Sequence, residues 1–476
     1  MNKSLARNAL YNVIYSVLNV LFPLFSAAYI SRVLAPEGIG RVAYAQNIVS
    51  WFVMFAALGI PEYGTREAAR LRGDSQGLNR LFSELMGLNF LATAVCVGAY
   101  GLFLRLACPE DGALYLVCGL ELVVNFFSID WLYRGLEDYG YITLRSGLIK
   151  ALSLLALVTL VKRREDVVLY ALIVCMGTLC SAVWNMIHAR KIVCLTLRGW
   201  ELGRHRKPVL ALMLSSVTAS LYSKVDITML GWLASEETVG FYTNAYKDVS
   251  IVITLTAAVT AVFLPRLSYV YESDKKQYEA YLSTGLKIVL TLAFPCCFGL
   301  MAVAEDLVAV LFGTLFAPAA ATIRILAVLV IVRGAGDLMC YQAIISSGNE
   351  RKLIKARLAA GLVNIALNAM LIPRYAHNGA AAASLVSELI VNGILLRHSL
   401  GIAKPKISRG FLISLLTGTA AMTAAVLCLR QFMKTGLAAL CASVTVGAAV
   451  YVLAGLLTKN DLLWGMKNGG SLWMRE

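Results

Sequence analysis

The sequence predicts an all-α polytopic membrane protein of about 14 transmembrane helices, and three observations lead there. Hydrophobic residues make up 59% of the chain and charged residues 15%, against roughly 45–50% and about 25% in an ordinary soluble domain. The apolar excess falls in blocks of about twenty residues, the length a helix needs to cross a hydrocarbon core of about 30 Å. Finally, the net charge of +15 is unevenly placed: with the N-terminus inside, the inner segments carry roughly three times as many Lys and Arg as the outer ones. That bias orients membrane proteins. The positive charge is therefore topological, membrane lipid is its secondary partner, and no nucleic acid is expected.

Spans are expected near 9–31, 42–61, 81–104, 113–133, 140–161, 167–188, 208–233, 239–263, 280–304, 320–346, 354–372, 378–397, 411–429 and 436–457. The first follows Lys3 and Arg7 but exceeds the apolar core of a cleaved signal, so it reads as a retained span. An even number of spans places both termini in the cytoplasm. The loop Lys162-Arg163-Arg164-Glu165-Asp166 is basic on the outer side and runs against the charge trend. Most of the eleven cysteines lie in apolar blocks, and no CxxC pair occurs. Buried free thiols fit this pattern better than bridges or zinc, and neither cofactor nor metal is expected.

The chain repeats itself. "VLAPEGIGRVAYA", Val33 to Ala45, returns as "WLASEETVGFYTNA", Trp232 to Ala245, with Leu34 matching Leu233 and Gly40 matching Gly240. "MGLNFL" from Met86 parallels "TGLKIV" from Thr284, and "RSGLIKALSLLAL" from Arg145 tracks "RLAAGLVNIALNA" from Arg357. The matches stay in order along the chain. An interval of about two hundred residues holds six spans, an even number, so the copies enter the membrane from the same side as parallel repeats. Expected domains are a six-helix lobe at 1–200, a second at 201–402, and two additional helices with a short cytoplasmic tail at 403–476. In each copy the repeated phrase forms the outer loop of the first hairpin, where polar turn residues let the backbone meet water.

No loop exceeds roughly twenty residues, so a large soluble catalytic domain is excluded. There is no P-loop, HExxH or GxSxG, and the protein is not expected to be an enzyme. His188, His205, His377 and His398 fall at span ends or in loops and read as solvated surface residues. Function must then lie among the spans, where ionisable side chains are costly. The substrate-binding candidates are the deep cations Lys224, Lys247, Arg333, Lys150 and Lys287. The ion-coupling candidates are the carboxylates Asp226, Asp248, Asp337 and Glu388. Lys224, Asp226, Lys247 and Asp248 lie at similar depth either side of the second repeated phrase, where Lys224 with Asp248, or Asp226 with Lys247, can pair across antiparallel helices. In the first copy these positions fall near Phe25 and Asn47, so that hairpin is polar but uncharged. Arg333 and Asp337 are four apart and can pair within one helix. A slight excess of cations suits an anionic passenger such as a phosphate or pyrophosphate.

"RVLAPEGIGRVAYAQNIV", "ALGIPEYGTREAAR" and "SKVDITMLGWLASEETVGFYTNAYKDV" resemble the bacterial polysaccharide-exporting flippases of the superfamily that also holds multidrug extruders and lipid II flippases. The likeness runs from about Asn8 to about Ser399. It implies two six-helix lobes around a central cavity that opens alternately to each side of the plasma membrane, with two extra C-terminal helices. The implied passenger is an undecaprenyl-pyrophosphate-linked oligosaccharide: an O-antigen, capsule or exopolysaccharide unit. Its headgroup would lie in the cavity and its lipid tail outside, with polysaccharide assembly proteins as further partners. The rivals are a multidrug or organic-cation antiporter on the same scaffold and a membrane-embedded polysaccharide polymerase or ligase. A cationic passenger would favour a carboxylate-dominated interior, and a polymerase a sizeable outer loop.

Overall fold

A computed structural model describes residues 5–107, 110–196, 200–271, 273–458, 460 and 462. The described residues form helices and no strand. In chain order they are α1 (Leu5–Ala57), α2 (Ile60–Arg70), α3 (Ser75–Ala107), α4 (Gly112–Phe126), α5 (Asp130–Gly135), α6 (Tyr139–Leu160), α7 (Val167–Ala189) and α8 (Gly203–Leu233). There follow α9 (Glu236–Ala261), α10 (Phe263–Val270), α11 (Lys275–Leu311), α12 (Ala319–Gly336), a π-helical segment (Asp337–Gln342), α13 (Ala343–Ser346), α14 (Glu350–Ile402), α15 (Arg409–Phe432) and α16 (Leu437–Leu457).

Ten stretches of these helices are long and apolar enough to cross a membrane. The other four of the 14 expected spans have simple reasons. α1 and α14 are each 53 residues long, which at 1.5 Å per residue is about 80 Å, far more than a bilayer core. Each breaks once, at Ala35 (φ 59°) and Ala376 (φ 47°), so each holds two expected spans. α4 is apolar but short at 15 residues. α8, the fourth, is a 31-residue helix with Lys224 and Asp226 in its interior.

The breaks follow from the sequence. Pro36 lacks an amide N–H and disfavours helical geometry at the residue before it, so the turn falls on Ala35. In the second phrase α8 ends at Leu233 and Ala234 is extended (φ −138°) before α9 begins. Ala35 and Ala234 each follow the matched leucine, so both copies break at the same place. The two phrases also touch. A Cβ on Gly40 would overlap the Glu236 carbonyl, and a Cβ on Gly240 would overlap the Pro36 carbonyl. The crossing is reciprocal, and only glycine lets the backbones meet this closely.

The helices gather into two compact units, 1–240 and 241–476. In the first, α1 packs on α3, α4, α6 and α8, α4 on α7, and α2 on α5 and α8. In the second, α11 packs on α12, α15 and α16, and α12 on α14. The C-terminal pair thus packs on α11, and an apolar groove of about 710 Å³ runs there past Ile288, Leu292, Leu300, Met422, Val444 and Tyr451. The basic loop between α6 and α7 is a closed turn: the Asp166 carboxylate accepts the backbone N–H groups of Lys162 (2.9 Å) and Arg163 (2.8 Å). Those two donors hold Asp166 below its ordinary carboxylate range.

Replacing Gly40 with valine should lower unfolding stability by about 1–3 kcal/mol, since the obstructing atoms are backbone. Thermal unfolding in detergent checks this, with Gly98→Val, whose Cβ would meet nothing within 4 Å, as the neutral control.

Candidate functional site

Five cations and four carboxylates are expected within the spans, and the structure gives them unlike surroundings. In the first compact unit α8 lies along α1. Asn47 donates from Nδ2 to the Lys224 carbonyl (3.0 Å) and to Thr228 Oγ1 (2.7 Å), and Trp51 Nε1 donates to the same hydroxyl (3.1 Å). These bonds fix α8 at Lys224. The Lys224 ammonium donates to Ser50 Oγ and sits 6.0 Å from the Trp51 ring centroid. A hydroxyl and an aromatic face stabilise a cation without neutralising it. The carboxylate within electrostatic reach is Glu121 of α4. Asp226, two residues along and so on the opposite side of the helix, is fully buried. Lys150 of α6 donates to Asn19 Oδ1 and lies 5.9 Å from the Phe22 ring.

In the second unit the Arg333 guanidinium pairs with Glu388 of α14 at 3.2 Å and donates to the Tyr246 hydroxyl of α9 at 3.3 Å. The expected Arg333–Asp337 pair within one helix does not form. Asp337 opens the π-helical segment and accepts instead from Thr260 Oγ1 and Gln342 Nε2 (3.2 Å). The i,i+4 rule describes an isolated helix, whereas here α9 and α14 offer competing partners. Lys247 is half-buried beside Asp248. Asp248 is 5% exposed, and its Oδ2 has no hydrogen-bond partner. Lys287 of α11 lies 5.8 Å from the Phe411 ring of α15. Lys224, Asp226 and Lys150 therefore belong to the first unit, and Lys247, Asp248, Lys287, Arg333, Asp337 and Glu388 to the second.

Several polar groups escaped the sequence reading. A pocket of about 290 Å³ opens between α4, the start of α5 and α7, lined by Glu121, Asn125, Ser128, Asp130, Ser181 and Asn185 among others. Behind it Arg145, 2% exposed, donates to Asp130 Oδ1 (2.9 Å) and to Asn185 Oδ1. Asn185 Nδ2 donates to Asp130 Oδ1 (2.6 Å), and the Tyr133 hydroxyl donates to the Asn185 carbonyl (2.7 Å). Glu121 was legible as a lone mid-span carboxylate in "GLELVV"; its neighbours are scattered over three elements and were not.

The histidines correct a second expectation. His205 is 2% exposed, bonded through Nδ1 to the Tyr63 hydroxyl (2.7 Å) and through Nε2 to Glu84 (2.8 Å). His377 is 8% exposed against Thr322 (2.6 Å). Glu84 is the centre of the His205 cluster. It is fully buried, and it accepts from Arg80, Arg204 and the Glu201 backbone N–H. This hub docks the segment before α8 onto α2 and α3.

Comparisons with known proteins agree with this architecture. The family described as Polysaccharide biosynthesis protein matches residues 5–270, and the family described as Lipid II flippase MurJ matches residues 148–446. A putative O-antigen transporter of Escherichia coli (strain K12) is 21% identical over 400 residues, covering 83% of this chain and 96% of its own. The probable flippase AglR of Haloferax volcanii is 29% identical over 172 residues, 35% of each chain. Among solved structures, the lipid II flippase MurJ in an inward closed conformation superposes with a TM-score of 0.77 at 13% identity, covering 96% of this chain and all of that one. An inward-facing multidrug resistance MATE transporter superposes at 0.64 with 16% identity, covering 83% and 98%.

Removing Asp130 leaves the buried Arg145 guanidinium short of its carboxylate. Asp130→Ala should cost about 2–3 kcal/mol in detergent unfolding, and adding Arg145→Met should restore part of that loss, because the stranded charge goes with it.

Proposed function

The chain belongs to the family of polysaccharide and lipid-linked oligosaccharide flippases, and on that footing we propose that Lys224 holds the pyrophosphate of an undecaprenyl-linked oligosaccharide during its passage. One observation carries the assignment: the Lys224 ammonium is held inside the spans by a serine hydroxyl and a tryptophan face, with no ion pair among the described residues. Such a cation keeps its capacity for an anion, and a charge-assisted hydrogen bond to phosphate is stronger than one to a neutral group. Lys150 in the first unit, and Lys247 and Lys287 in the second, are further candidate cations for phosphate. Arg333 reaches phosphate by exchanging its bond to Glu388.

Transport rather than catalysis is the activity. The lobes 1–200 and 201–402 would alternate in exposing the headgroup to each side of the bacterial plasma membrane, with both termini cytoplasmic. The apolar groove of the C-terminal pair offers a lipid tail the hydrocarbon contact that a polar cavity denies it. If passage is coupled to an ion gradient, Asp248 leads the carboxylates, because its buried Oδ2 lacks a donor; Asp226, Asp337 and Glu388 follow. A multidrug extruder on the same scaffold needs anionic walls for its cationic passengers, and the neutral setting of Lys224 argues against it.

Changing Lys224 and Lys247 together to alanine should reduce translocation of a lipid-linked oligosaccharide into the outer leaflet at least tenfold. Expression and melting temperature should stay at wild-type level, and Lys224→Arg should keep most of the activity. Full translocation by the double variant overturns the assignment; loss of folded protein is separated from loss of transport by the melting measurement.

A further inference from the structure

The pocket between α4, the start of α5 and α7 has no role in the reading above. Its volume of about 290 Å³ lies at the lower edge of the roughly 300–1,000 Å³ typical of small-ligand sites. Liquid water takes about 30 Å³ per molecule, so an ion alone would leave most of this space to solvent. Its lining has no lysine or arginine, and a pyrophosphate would find no countercharge in it. What it does offer is two carboxylates, Glu121 and Asp130, two amides, Asn125 and Asn185, and the hydroxyls of Ser128 and Ser181. Carboxylates and amides present two planar polar atoms each and can accept from or donate to adjacent hydroxyls on one ring.

Half of this wall is rigid before any ligand arrives. Asp130 and Asn185 bond each other, and Arg145, Tyr133 and Tyr141 hold them from behind; the Tyr141 hydroxyl donates to Asn185 Oδ1 at 3.2 Å. Fixed polar groups pay less ordering entropy on binding. Arg145 offsets the charge of Asp130. Glu121 forms no hydrogen bond and no ion pair among the described residues, and it lies within electrostatic reach of Lys224. The cation assigned to pyrophosphate is thus within electrostatic reach of a carboxylate that lines a pocket of sugar-binding character.

We propose that this pocket is a sugar subsite that takes a neutral or amino sugar next to the pyrophosphate of the lipid-linked glycan and rejects a uronic acid there. The proposal rests on the flippase reading and deepens it. Rejection follows from Glu121, a carboxylate with no bonded partner among the described residues, which would face a sugar carboxylate.

The test uses the full-length protein in lipid nanodiscs and native mass spectrometry. The probes are undecaprenyl pyrophosphate alone and the same lipid bearing N-acetylglucosamine, galactose or glucuronic acid. Wild type should bind at least one of the two uncharged sugar lipids about tenfold tighter than the bare lipid pyrophosphate, with no such gain for the glucuronic acid lipid. Glu121→Ala should remove the gain, so that the sugar lipids bind no tighter than the bare lipid. Glu121→Gln, which keeps the shape and loses the charge, should admit the glucuronic acid lipid. Equal affinity of wild type for bare and sugar-bearing lipids overturns the subsite while the flippase reading stands. A gain that survives Glu121→Ala also overturns it, as does a sodium- or pH-dependent response abolished in Glu121→Gln without any sugar gain. Failure of wild type to bind any of the four lipids would instead count against the flippase reading itself, and the subsite would fall with it.

Discussion

An apolar bundle cannot solvate charge, so each ionised side chain within it must find a partner or be held for one that arrives later. Most of this molecule obeys the first option. Glu84 gathers two arginines, a histidine and a backbone N–H; Arg145 is closed by Asp130 and Asn185; Arg333 is shared by Glu388 and Tyr246. These networks fasten helices together, and removing one member would strand the rest. On the proposed function, Lys224, Glu121 and Asp248 follow the second option. Lys224 is held by neutral groups, Glu121 faces an open pocket, and Asp248 keeps a bare buried oxygen. What separates a structural charge from a functional one here is the presence or absence of a closing partner, not depth in the membrane.

The backbone answers to the same constraint. Its hydrogen bonds must be made internally until water is reached, so reversals need residues that stop a helix cleanly. Pro36 supplies one, and the extended Ala234 supplies its counterpart. Gly40 and Gly240 then let the two turns cross backbone to backbone. The repeated phrase is thus conspicuous in the sequence because it answers one geometric demand twice. The π-helical segment after Gly336 departs from regular geometry within a span. It turns Asp337 toward Thr260 and Gln342, and Arg333 is left to Glu388.

The spans, the repeated hairpin break and the depth of Lys224 were legible because each is local: a run of apolar residues, a proline beside an alanine, one charge amid hydrophobes. The repeat even pointed to Asn47, which aligns near Lys247 and bonds the backbone of α8 at Lys224. Packing between helices could not be read this way. Arg333 and Asp337 have ideal spacing within one helix, but partners on α9 and α14 decide their bonds. His205 sits at a span end and seemed solvated, yet Tyr63 and Glu84 come from elements more than a hundred residues earlier to enclose it. The polar pocket assembles from α4, α5 and α7, and nothing in the sequence brings its residues together.

Separating cation from carboxylate also meets a requirement that any carrier of a charged headgroup faces. A cation isolated in a bundle would bind phosphate strongly and give it up slowly, whereas transport needs release on the far side. A ligand moves a conformational equilibrium only through its difference in affinity between the two states, so total affinity beyond that difference is wasted. On the proposed function, Glu121, near Lys224 but not bonded to it, would moderate the pull on a phosphate without cancelling it. The polar pocket then adds interaction with groups that carry no charge and whose hydrogen bonds water can replace on exit. Selectivity in this arrangement comes from the sugar and attraction from the phosphate, and neither has to be strong enough to trap the passenger.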